Sequence, residues 1–130
     1  MEIKLTNEEK LNFFYNALCN GLGYFEGYGL ELTCNPEDYD NAKATLRKDE
    51  TQSICYEDVL IQILKQGNSL SVKDYEGDGA YNSSCTLETI YQRMDKVPQR
   101  FLLDMANEED DAETADVILQ IVFFEEIIFG

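Results

Sequence analysis

Histidine and tryptophan are absent from this chain, and proline occurs only at Pro36 and Pro98. Without histidine, no Ser-His or Cys-His nucleophile system can be assembled. The four cysteines, Cys19, Cys34, Cys55 and Cys85, form no C-x-x-C pair, and no imidazole is there to complete a zinc site. They are expected to be buried free thiols, with Cys34 and Cys85 facing the core from strands. Positive charge disappears after Arg100: residues 101–130 carry nine acids and no base. The start, MEIKLTNEEK, has no apolar h-region, so no secretory signal is expected. The most apolar stretch is cut by Gln120 and by Glu125-Glu126, and falls short of the ~18 uninterrupted apolar residues that span a bilayer. A cytoplasmic location without membrane association is the expectation.

What is present is one domain's worth of chain, residues 1–130, with 44% hydrophobic residues and a formal net charge of −16. That apolar content supports a real core. The charge repels nucleic acid and anionic membranes, and favours basic proteins or cations as partners.

The chain organises around its C-terminal stretch, ADVILQIVFFEEIIFG. Val117, Ile118, Ile121, Phe124 and Ile128 fall on one stripe of a helix, and Leu119, Val122, Phe123, Ile127 and Phe129 make the other sides apolar. A helix apolar nearly all round is buried. A central strand over 117–124 is the competing reading, since Val, Ile and Phe are β-formers. Acids at 108–113, with Asp110 or Asp111 as N-cap, favour helix.

Upstream, Thr6-Asn7-Glu8-Glu9 is a capping box that opens a helix over about 7–20. Gly21, Gly23, Gly27 and Gly29 read as turn glycines. Their spacing is only loosely that of a dinucleotide loop and follows a helix, not a strand. Leu30, Leu32 and Cys34 alternate with Glu31 and Thr33, as in a half-buried strand. Asn35-Pro36 starts a surface helix bearing Tyr39, Ala42 and Leu46. Ser53 is the expected cap of a helix over about 54–66, with Val59, Leu60, Ile63 and Leu64 inward and Gly67 at its end. A hairpin pairs about 69–76 with 80–86 around Gly77-Asp78-Gly79. Thr86 caps a short helix, Pro98 breaks it, and a second short helix carries Phe101, Leu102 and Met105. The expected fold is α+β: a small antiparallel sheet of about three strands against helices, with a buried C-terminal helix.

Three carboxylate patterns bear on function. Asp74, Glu76, Asp78 and Gly79 match positions of a calcium loop, but Cys85 stands where the bidentate glutamate belongs, so an acidic hairpin tip is the simpler account. Asp104, Glu108 and Asp111 share a face if helix continues through them. Glu113-Thr114-Ala115-Asp116 resembles one half of the MazG-type nucleotide pyrophosphohydrolase signature; the E-x-x-E half occurs nowhere upstream. No acid, base and nucleophile converge, so no catalytic residue, metal or cofactor is assigned. The alternatives are a metal-dependent phosphate enzyme built on these carboxylates, and a structural or homo-oligomeric protein whose charge only confers solubility.

The leading expectation uses the acids as a surface. DNA presents one charge per about 1.7 Å of axis, and exposed carboxylates can offer comparable density to a basic groove. The candidate contact residues are Glu37, Asp38 and Asp40; Asp74, Glu76 and Asp78; and Asp104, Glu108, Glu109, Asp110, Asp111 and Glu113. Tyr39, Tyr75 and Tyr81 lie among them and suit an interface. In charge and size the chain is similar to phage anti-defence proteins and to immunity proteins of nuclease toxins, which occlude basic enzymes. The expected partner is therefore a basic, nucleic-acid-binding protein, not nucleic acid itself.

Overall fold

A computed structural model describes residues 2–49, 51, 53–109 and 111–130. They form an α+β fold of six helices and three strands: α1 (Asn7–Gly27), β1 (Leu30–Thr33), α2 (Pro36–Leu46), α3 (Tyr56–Lys65), β2 (Leu70–Asp74), β3 (Ser83–Cys85), α4 (Leu87–Arg93), α5 (Gln99–Ala106) and α6 (Ala112–Phe124). A 3₁₀ turn, Met94–Lys96, joins α4 to the segment before α5. The sheet is antiparallel in the order β1-β2-β3, so β1 and β3 are its edges.

The C-terminal stretch is helix, and every residue of α6 from Thr114 to Phe123 is buried. Asp111 is its N-cap, accepting from Thr114 N at 2.9 Å; Asp110, the other candidate cap, lies outside the described residues. The helix ends four residues earlier than the apolar stripe through Ile128 implies. Glu125 adopts the left-handed conformation (φ 65°) and the chain folds back. The buried Gln120 side chain drives this reversal. Its Oε1 accepts from Ile128 N (2.8 Å) and Phe129 N (2.9 Å), and its Nε2 donates to Phe129 O and to Asp116 Oδ2, both at 3.1 Å. Ile127 is consequently exposed.

α1 begins with the expected capping box, Thr6 with Glu9, but runs on to Gly27 through three of the glycines expected to break it. The reason is its packing on α6. A Cβ on Gly21 would lie 3.0 Å from the carbonyl carbon and from the Cβ of Ala115, so glycine lets the two backbones approach closely. Burying Phe14, Leu18 and Phe25 along this seam outweighs a helix-propensity cost of about 1 kcal/mol per glycine. Phe14 and Phe25 both pack on Phe123, with ring centroids 6.2 and 6.1 Å apart. The actual turn is at Gly29, φ 78°.

α2 starts as expected, Asn35 Oδ1 accepting from Glu37 N at 2.8 Å. α3 starts later than expected: Cys55, not Ser53, holds the N-cap place and makes no side-chain capping bond. Ile54 packs against the core, which keeps the chain non-helical there. The hairpin strands are shorter than their alternation implies, because Asp74 closes the loop with its own side chain. Its carboxylate accepts from Gly77 N (2.7 Å) and Tyr81 N (3.2 Å), while Asn82 Oδ1 accepts from Asp74 N (2.7 Å). These bonds replace the ladder that would otherwise continue. No helix among the described residues is long and apolar enough to cross a membrane.

Candidate functional site

The candidate acids sit on three segments and do not share one local environment. Glu37 and Asp40 are exposed on the first turns of α2, with Asp38 half-buried between them. At the hairpin tip Glu76 and Asp78 are exposed, but Asp74 is buried and its carboxylate serves the loop. It is a positioning residue for the tip, not a contact. The helix that would align Asp104, Glu108 and Asp111 stops at Ala106. Asp104 is half-buried, Glu108 and Glu109 form the turn, and Glu113 stands exposed in the first turn of α6. The Asp111 carboxyl is held below its ordinary range by its bond from Thr114 N. Asp110 lies outside the described residues.

Two properties of these acids stand out. The ion pairs among the described residues join Lys10 to Asp95 and Arg93 and Lys96 to Glu125; none involves a described candidate acid. Furthermore, the three non-glycine residues with positive φ among the described residues are all acids: Asp78 (54°), Glu108 (58°) and Glu125 (65°). Glu125 has its two cations. Glu108 has none and occupies the position after α5 where glycine ordinarily sits, with Glu109 N closing onto Asp104 O at 2.7 Å. A side chain there costs roughly 1–2 kcal/mol of backbone strain.

A groove of about 530 Å³ brings one candidate acid, Glu76, together with two that the sequence pattern did not single out, Glu26 and Glu31. Glu26 from the end of α1, Glu31 from β1 and Glu76 from the hairpin tip line it, with Tyr56 and Tyr75 and no lysine or arginine. Tyr56 is 41% and Tyr75 63% exposed. The Glu31 carboxylate beside the Tyr75 hydroxyl raises the Tyr75 pKa. Gly29 makes room for Glu76: a Cβ on Gly29 would fall 2.4 Å from Glu76 Cγ. The clue in the sequence was Glu31, the polar residue between Leu30 and Leu32; Glu26 was hidden among glycines taken for a loop. A second groove, of about 500 Å³, has mixed charge, with Asp58, Lys48 and Lys65 among its walls.

The E-x-x-D pattern does not present a carboxylate pair. Asp116 is buried, and its Oδ2 accepts from Tyr28 Oη (2.7 Å) and Gln120 Nε2 (3.1 Å), while Oδ1 has no partner. Burial pushes its carboxyl pKa up against those two bonds. No group of three or more cysteine or carboxylate side chains among the described residues is arranged to hold a metal.

All four thiols are unpaired. Cys85 is buried on β3 as expected, and burial pushes its pKa up to about 12. Cys34 lies just beyond β1 and is half-buried. Cys19 and Cys55 are exposed, contrary to the expectation of burial. Cys19 lies on the outer face of α1, and Cys55 precedes α3, where its thiol donates to Glu57 Oε2. Comparison with known protein families, with curated proteins and with solved structures found no match.

Proposed function

We propose that this protein is a non-enzymatic, acidic binding protein that docks on the basic surface of a nucleic-acid-binding protein and occludes or recruits it. The observation that carries this reading is Glu108, an exposed acid without a base partner, kept in a backbone conformation that glycine adopts without strain. Glu109, Asp111 and Glu113 follow it in sequence, on a segment with no lysine or arginine. Individually such exposed charges contribute roughly 0–1 kcal/mol to a contact, but their fields sum at long range and steer a basic partner. Solubility alone gives no reason to hold a glutamate, instead of glycine, at φ 58°.

The test is to recover a partner at low salt, release it with salt or duplex DNA, and measure association kinetics against the purified partner. Glu108→Lys with Glu109→Lys is expected to slow association more than it speeds dissociation. Glu108→Gly separates the two roles of the residue: it relieves the backbone, so stability should rise by up to about 1 kcal/mol, while association slows. An on-rate indifferent to salt and to both variants would overturn the reading and leave charge as a solubility device.

A further inference from the structure

The open edge of β1 lies in the acidic groove. Tyr75 N donates to Gly29 O at 2.9 Å, and the register pairs Glu31 with Lys73 and Thr33 with Ser71. In an antiparallel ladder the hydrogen-bonded pairs alternate. Glu31 and Thr33 therefore turn their backbone groups toward β2, and Leu30 and Leu32 turn theirs to the open side, where no strand pairs with them. Such an edge is a template for an added strand. It is lined by the Glu26, Glu31 and Glu76 carboxylates and flanked by Tyr56 and Tyr75.

We infer that β1 accepts an extended basic segment of the partner as a fourth strand, its backbone pairing at the half-buried Leu32, Leu30 being buried in the core, and its lysines or arginines meeting Glu26, Glu31 and Glu76. This inference rests on the basic-partner reading above and adds where and in what conformation the partner binds. Main-chain pairing supplies affinity without sequence demands, and the side-chain charges supply selectivity. The tyrosine faces offer cation–π contacts to the same cations. A second copy of this chain is disfavoured as occupant, because pairing β1 with β1 brings identical carboxylates together.

The probe is a fluorescein-labelled peptide, Lys-Val-Lys-Val-Lys-Val-Lys, titrated by anisotropy at low and high salt. Salt-sensitive binding is expected, weakened about tenfold by Glu31→Gln with Glu76→Gln, which removes two charges at the groove without adding any. Glu8→Gln with Glu88→Gln removes the same number at exposed positions outside the groove and outside the candidate contact acids, and should change affinity much less. Amide hydrogen exchange supplies the backbone readout: peptide should slow exchange at Leu32. If the peptide binds but Leu32 exchange is unchanged, or both double variants act alike, the strand inference fails while the basic-partner reading stands. No binding even at low salt also overturns it, with the partner kinetics left as the separate test of function. Concentration-dependent dimers abolished by Leu32→Pro would show that a second copy is the occupant and overturn it as well.

Discussion

Single residues in this protein show how one substitution can have opposite signs in one helix. Gly21 and Gly23 both lie inside α1, yet a Cβ on Gly21 meets Ala115 and Leu119 at 3.0 Å, while one on Gly23 meets nothing within 4 Å. Gly23→Ala should stabilise by about 0.5–1 kcal/mol through helix propensity alone. Gly21→Ala gains the same term and then forces α1 off the α6 backbone, at a cost of roughly 1–3 kcal/mol; the net should be destabilising. Urea denaturation of the two variants checks the sign of each. Asp116 gives a pH-dependent counterpart. Its folded pKa is raised by burial above the ordinary 3.8, so the protonated form favours the fold. Its contribution is greatest below that ordinary value and is lost as pH rises through the folded one. Asp116→Asn cannot ionise and keeps an acceptor for Tyr28. The stability of the variant relative to the parent should therefore increase from about pH 4 to about pH 7. A difference independent of pH would mean that burial does not perturb Asp116.

At the scale of elements, α6 is held at its C-terminal end by groups from elsewhere in the chain. The helix has no base in its last turn. Arg93 of α4 supplies one, donating to Val122 O (2.7 Å) and Phe123 O (3.1 Å) and pairing with Glu125 at 2.9 Å. Beyond it, Gln120 fastens the terminal residues, and Phe129 stacks on Tyr28 with centroids 4.6 Å apart. Gln120→Leu keeps the volume but leaves the Ile128 and Phe129 amides without their acceptor. Each such lost bond costs about 1–3 kcal/mol where water cannot substitute. The variant should stay folded with reduced stability, and these two amides should exchange faster than those of Ile118 or Leu119. Uniformly faster exchange would instead place the terminal segment in the cooperative core. At the centre of the same helix, the fully buried Ile118 changed to alanine should cost about 2–5 kcal/mol, measured by chemical denaturation.

For the whole molecule the governing quantity is the net charge of −16. Few of the acids are neutralised locally, so the folded chain carries self-repulsion that salt screens. Raising ionic strength from roughly 0.01 M to 0.15 M shortens the Debye length from about 30 Å to about 8 Å. The thermal midpoint should rise over that range, while association with a basic partner slows. The same salt series thus moves stability and on-rate in opposite directions. A midpoint that falls with salt would show that the ion pairs of Lys10, Arg93 and Lys96 outweigh the repulsion.

The sequence by itself determined most element types and most of their starts, and favoured helix over strand for 117–124 without deciding it. Local signals carry that information: the Thr6 capping box, Asn35-Pro36, Thr86, the Asp110-Asp111 pair, and the alternation of Leu30 with Leu32 or Leu70 with Val72 act over a few residues and need no tertiary partner. It also determined the burial of α6, because a helix apolar on all sides has no solvated face. Where helices end was another matter. Gly23 and Gly27 look like breakers until Gly21 is seen against Ala115, and Phe124 looks mid-helix until Gln120 binds the chain eight and nine residues on. Both depend on contacts between segments that only packing brings together. The acids divide in the same way. Their number was plain in the composition, but burial of Asp74, the strained backbone of Glu108 and the meeting of Glu26, Glu31 and Glu76 along the free edge of β1 were decided by the tertiary structure. A carboxylate's role is set by what surrounds it, and the surroundings come from three separate stretches of chain.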